Sequence, residues 1–153
     1  MKDRLHGEIS TELDQTTKTD KTTVIVAIVL NLVFLFANMA FAAGVWTVNY
    51  DYRDPGTVIT STKFNINMFA AFVILIAVTV AFNFIVIRAL SKGVERRAKL
   101  TEGLVKMYQD EGLEKYYDSS IIEGYKARYS LYKNIVMILG FLALAIPSVF
   151  LGV

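Results

Sequence analysis

Residues 23–46 read TVIVAIVLNLVFLFANMAFAAGVW, residues 64–87 read FNINMFAAFVILIAVTVAFNFIVI, and residues 134–153 read NIVMILGFLALAIPSVFLGV. No Asp, Glu, Lys, Arg or His interrupts any of them. Each is close to the ~20 residues a helix needs to cross a hydrocarbon layer ~30 Å thick. Lipid offers the backbone no hydrogen-bond partners, so a spanning segment must satisfy its own N–H and C=O groups, as a helix does. The sequence therefore reads as an all-α integral membrane protein with three transmembrane helices.

The three runs take up nearly half of the 153 residues, which leaves no room for a separate soluble domain with its own core. The expected organisation is an amphipathic N-terminal arm over 1–22, followed by a transmembrane domain over 23–153. Cysteine is absent, which removes disulfides, thiolate metal sites and cysteine nucleophiles. A net charge of +2 is too small to point to nucleic acid.

The placement of the basic residues sets the expected topology. Lys2, Arg4, Lys18 and Lys21 precede the first run, and ten further Lys and Arg residues fall between Arg88 and Lys133, whereas the connection between runs one and two holds only Arg53 and Lys63. By the positive-inside rule the N-terminus and the 88–133 segment are expected in the cytoplasm, with the first loop and the C-terminus outside a cell membrane. Ala40-Phe41-Ala42 has the small-residue look of a signal-peptidase site. The long, acid-containing arm and the length of the first run argue instead for a retained span.

Within the arm, Met1, Leu5, Ile9 and Leu13 recur every fourth position, a narrow stripe suited to a membrane surface or a partner helix. Residues 16–22 (TTKTDKT) read as a linker, with Thr19 or Asp20 capping the first span. Trp46, Tyr50 and Tyr52 are expected at the outer interface. The turn signal Asp54-Pro55-Gly56 lies between stretches that alternate enough for a short hairpin.

The 88–133 segment reads as a cytoplasmic helical hairpin that extends spans two and three. Its seam is expected along Val94, Ala98, Thr101, Val105 and Tyr108 on one arm, and Ile122, Tyr125, Tyr129 and Tyr132 on the other, at alternating steps of three and four. Gly112 is a natural helix stop. Asp118-Ser119-Ser120 with Glu123 forms a capping-box pattern for the returning arm. Gly93 could kink the first arm and lay its basic stretch along the headgroups.

Candidate chemistry is sparse. His6 is the only histidine, so no metal or haem site can be assembled around imidazoles, and no cofactor is expected. The polar residues in the interior of the runs, away from their ends, include Asn31, Asn38, Thr79 and Asn83, expected to hydrogen-bond between helices. Ala37, Ala40 and Gly44 in span one, with Gly140 and Ala143 in span three, supply small residues for close helix packing. The collar Arg88, Lys92, Arg96, Arg97 and Lys99 is expected to contact anionic headgroups. Serines occur, but no general base accompanies them, so no hydrolase mechanism can be drawn.

The leading functional expectation is a non-catalytic accessory subunit of a larger membrane complex. Its partners would be lipids and other membrane subunits, in a hetero-complex rather than a homo-oligomer. A homo-oligomeric pore or small transporter lined by the intramembrane asparagines is one alternative. An adaptor or sensor that recruits a soluble partner through the hairpin is another.

Overall fold

A computed structural model describes residues 2–54, 57–112 and 120–151. The element order is α1 (Lys2–Ala43), β1 (Trp46–Asp54), β2 (Thr57–Phe64), α2 (Ile66–Asp110) and α3 (Ser120–Val149). Among the described residues, three helices are long and apolar enough to cross a membrane, the pattern of a helical multi-pass membrane protein.

Helix α1 runs without a break through the residues read above as a linker, and neither Thr19 nor Asp20 caps anything. The threonines explain why. Thr16, Thr17, Thr19, Thr22 and Thr23 each donate their hydroxyl to the carbonyl four residues earlier, at 2.7–3.0 Å. A hydroxyl satisfied inside the helix no longer competes for the backbone in a turn conformation. Helix α2 is equally continuous and passes through Gly93 with no break. Gly112, just past its end, has φ +69°, a left-handed conformation that suits glycine.

The loop between α1 and α2 is an antiparallel hairpin that pairs Trp46 with Phe64 and Tyr52 with Val58, with an irregularity at Tyr52/Asp54. An isolated two-stranded ribbon is marginal in water. This one is anchored at its base by aromatic contacts, Trp46–Phe64 at 5.2 Å and Phe64–Phe69 at 5.5 Å between centroids. Trp46 Nε1 also donates to the Leu151 carbonyl at 3.2 Å. The turn residues Pro55 and Gly56, and the capping-box pattern at 118–123, lie outside the described residues and side chains.

The chain forms two compact units, each built from parts of all three helices. The first comprises Met1–Ile28 and Phe84–Met137, the second Val29–Asn83 and Ile138–Val153. Each helix carries one buried stripe at steps of three, four or seven. On α1 it includes Asp20, Val24, Ala27, Asn31 and Asn38, on α2 Thr79, Asn83, Val86, Leu90 and Arg97, and on α3 Tyr129, Val136, Gly140, Ala143 and Pro147. Exposed i,i+4 ion pairs (Arg4–Glu8, Lys18–Asp14, Lys99–Glu95, Lys106–Glu102) occur on the polar stretches of α1 and α2. Such pairs contribute little stability but keep those helix faces compatible with water.

Candidate functional site

The second unit contains a closed polar cluster. Asn31 and Asn83 exchange amide hydrogen bonds, with Asn31 Nδ2 donating to Asn83 Oδ1 at 3.0 Å and Asn83 Nδ2 donating to Asn31 Oδ1 at 2.8 Å. Asn83 Nδ2 also donates to the Thr79 carbonyl at 2.9 Å. The two amides thus satisfy each other across α1 and α2. Gly140 on α3 makes room for them, since a Cβ there would lie 2.8 Å from the Asn83 amide carbon.

Asn38 is spent on a different need. Its Nδ2 donates to the Ala143 carbonyl at 3.0 Å, with a longer 3.4 Å contact to Thr79 Oγ1. Proline has no N–H, so Pro147 cannot supply the helical bond that the carbonyl four residues before it, that of Ala143, would otherwise accept. The Asn38 amide fills that position from another helix. All four polar residues named from the sequence are buried here and hydrogen-bonded.

The first unit contains a network that sequence patterning did not reveal. Tyr129 donates its hydroxyl proton to Asp20 Oδ2. Arg97 Nη1 donates to the Tyr129 oxygen at 3.1 Å and Nη2 to the Leu13 carbonyl at 3.0 Å. The guanidinium carbon also lies 5.6 Å from the Tyr129 ring centroid. One hydroxyl therefore bridges a buried carboxylate on α1 and a buried guanidinium on α2, from a side chain on α3.

Burial, followed by donation to Asp20, pushes the Tyr129 phenol above the ordinary tyrosine range, against the opposing pull of Arg97. It remains a protonated donor at neutral pH. Gly93 is the counterpart of Gly140: a Cβ there would lie 2.9 Å from Asp20 Oδ1. The glycine that offered an alternative kink site is thus a close-approach site inside a continuous helix. His6, read as a solitary residue on the arm, pairs its Nε2 with the Tyr108 hydroxyl at 2.8 Å and so joins α1 to α2.

The same unit holds a groove of about 380 Å³ between α1 and α2. Its α1 wall is Glu12, Gln15, Thr16, Thr19, Asp20 and Thr23, and its α2 wall is Ala89, Lys92, Gly93 and Arg96. A second depression, in the other unit, is walled by Ala42, Trp46, Val48 and Phe150 among others, and none of its lining groups titrates.

Several sequence expectations need correction. Arg97, placed with the headgroup collar, is buried, while Arg88, Lys92, Arg96 and Lys99 are exposed. Ala98, placed in the seam, is exposed, and Arg97 occupies the inward position instead. Apolar patterning favours alanine there, but Tyr129 and the Leu13 carbonyl make the arginine the better fit. Thr101 and Tyr129 are buried, and Val94, Val105, Tyr108 and Tyr132 are half-buried. The Tyr129 and Tyr132 rings lie 6.0 Å apart. The side chains of Ile122 and Tyr125 lie outside the described set. Among the small residues, Ala40 is exposed, Ala37 and Gly44 are half-buried, and Gly140 and Ala143 are buried.

The signal for the missed network was present but ambiguous. Asp20, Arg97 and Tyr129 each had a local explanation as a cap, a collar residue and a seam residue. Among the described residues, no group of three His, Cys, Asp or Glu side chains converges as a metal site would require. Comparisons with protein-family models, curated proteins and solved structures return no match.

Proposed function

We propose that this protein is a non-catalytic accessory subunit of a larger membrane complex, its N-terminus and the 88–133 segment in the cytoplasm and its C-terminus outside a cell membrane. The observation that carries this reading is how the chain uses its surfaces. Asn31, Asn38, Thr79 and Asn83, deep in the apolar runs, are buried and hydrogen-bonded within the chain, while only 22% of each apolar window is buried. Large aromatic residues stay open, Phe36 at 66%, Phe84 at 62% and Phe141 at 68% exposure. Exposed apolar area on this scale is covered either by acyl chains or by neighbouring helices.

Arg97–Tyr129, Asp20–Tyr129 and His6–Tyr108 support a preformed helical platform on the polar side, on which cytoplasmic parts of a complex would dock. The pore alternative draws no support from this geometry, because the Asn31 and Asn83 amides are committed to each other and the Asn38 amide to a backbone carbonyl.

Purification from native membranes in mild detergent after in-membrane crosslinking tests the proposal. A defined heteromeric species containing the chain is expected. Recovery of the chain only as a monomer, with and without crosslinker, would overturn it. Because the chain is cysteine-free, single cysteines can be placed without background to test topology. A cysteine at Lys106 should be shielded from an impermeant thiol reagent in intact cells, and one at Ser61 should react.

A further inference from the structure

We propose that the groove between α1 and α2 is a binding site for the headgroup of a zwitterionic phospholipid carrying a primary ammonium, phosphatidylethanolamine. The chemistry of its walls is sorted. On the α2 wall Lys92 and Arg96 offer charged donors and no acceptor. On the α1 wall Glu12 offers a whole carboxylate and Asp20 its Oδ1, the Asp20 Oδ2 being held by Tyr129. Thr16, Thr19 and Thr23 have already donated their hydroxyl protons to the carbonyls of Glu12, Gln15 and Thr19, so toward the groove they can only accept.

Among the described residues no ion pair or hydrogen bond crosses the groove between these walls. Opposite charges therefore face one another across about 380 Å³, within the ~300–1,000 Å³ range of small-molecule sites. A ligand that bridges them must present an anion to α2 and a multiple donor to α1. A phosphate bearing an ethanolamine does both.

The same walls discriminate among headgroups. A quaternary ammonium has no N–H to donate and is held by aromatic faces, and no aromatic ring lines this groove. A glycerol headgroup lacks the cation that Glu12 and Asp20 would attract. The position suits a lipid over a free metabolite, a step that rests on the reading that the apolar runs cross the bilayer. Thr23 opens the first run and Ala89 follows the end of the second. One turn further along the same helix faces lie Val26 and Ile85, both exposed, where acyl chains would continue.

The experiment uses the full chain in nanodiscs of equimolar phosphatidylethanolamine, phosphatidylcholine and phosphatidylglycerol, with lipids retained on the released protein identified by native mass spectrometry. Retention of phosphatidylethanolamine roughly tenfold over either competitor is expected, as is its fall by about tenfold in the double variant Lys92→Gln/Arg96→Gln. Both side chains are exposed, and circular dichroism establishes that the variant is folded. Should it not fold, Glu12→Gln, which removes a carboxylate from the opposite wall, replaces it under the same criterion. Soluble phosphoethanolamine should displace the lipid where inorganic phosphate does not, which separates the whole headgroup from its phosphate.

Equal retention of the three lipids, preference for the glycerol lipid, or undiminished retention in the folded variant would each overturn the assignment. Resistance of the chain to carbonate extraction from membranes is measured alongside. Loss of that resistance refutes the membrane reading itself, whereas its persistence with non-selective lipid retention refutes the groove alone.

Discussion

The bond between Asn38 and the Ala143 carbonyl makes a quantitative prediction, because its necessity comes from a third residue. Pro147 removes the N–H that would normally serve that carbonyl, and Asn38 Nδ2 replaces it at 3.0 Å in a fully buried position. Replacing Asn38 with Leu removes an interhelical hydrogen bond worth about 0.6–1.7 kcal/mol in a membrane. It also orphans a buried acceptor, at a further cost of about 1–3 kcal/mol. In a Pro147→Ala background the restored N–H of residue 147 serves the carbonyl within α3, so the orphan never arises and only the first cost remains.

The double-mutant cycle should therefore show a coupling of about 1–3 kcal/mol, with Asn38→Leu milder when Pro147→Ala is present. The 3.4 Å contact of Asn38 with Thr79 and the volume lost at Pro147 cancel in the cycle. Unfolding in mixed micelles by titration with a denaturing detergent, followed by circular dichroism, gives the four free energies. Trp46, the only tryptophan, donates to the Leu151 carbonyl and offers a fluorescence signal near the end of α3. If the two single effects add within about 0.5 kcal/mol, the proposed division of labour between Asn38 and Pro147 is wrong.

Two further predictions use the same assay. Gly140→Ala gains about 1 kcal/mol of helix propensity but drives a methyl to 2.8 Å from the Asn83 amide, at a cost of about 1–3 kcal/mol plus the disturbed Asn31–Asn83 pair. It should destabilise the native chain and become stabilising when Asn83 is already Ala; destabilisation in both backgrounds counts against the close approach. Tyr129→Phe should cost about 2–4 kcal/mol, because Asp20 and Arg97 each lose a charge-assisted hydrogen bond. The folded phenol titrates above its ordinary value of 10.0, so the protonated form favours the fold. Its contribution is complete below about pH 10 and is lost as alkaline pH rises through the folded value, a loss absent from the Tyr129→Phe variant. An identical alkaline decline in both proteins would show that Tyr129 does not carry it.

Helix existence was legible because it depends on local quantities. Uninterrupted apolar length and the absence of charge identify the segments that α1, α2 and α3 contain, and the flanking aromatics and turn residues allowed for the hairpin of β1 and β2. Continuity was less legible. Thr16–Thr22 carries the composition of a linker, and only the repeated hydroxyl-to-carbonyl bonds, together with Asp20 held by Tyr129, show why helix persists there. The seam on α2 keeps its phase at Leu90 and Thr101, both buried, and departs from it at one position. Ala98 fits an apolar seam, and the observed inward residue is Arg97, whose burial is tolerable only with partners 84 and 32 positions away in the chain.

By itself the sequence determined that three segments are helical and apolar, that two asparagines on α1 share a face, and that nothing titratable lies within the apolar runs. These follow from composition and period, which each segment carries alone. The tertiary structure alone decided which amides meet, that Gly140 and Gly93 exist to admit Asn83 and Asp20, and that Asp20, Tyr129 and Arg97 are one network. A buried polar group takes its energy from the partner that satisfies it. That partner lies on another helix, at a distance along the chain that no local pattern encodes.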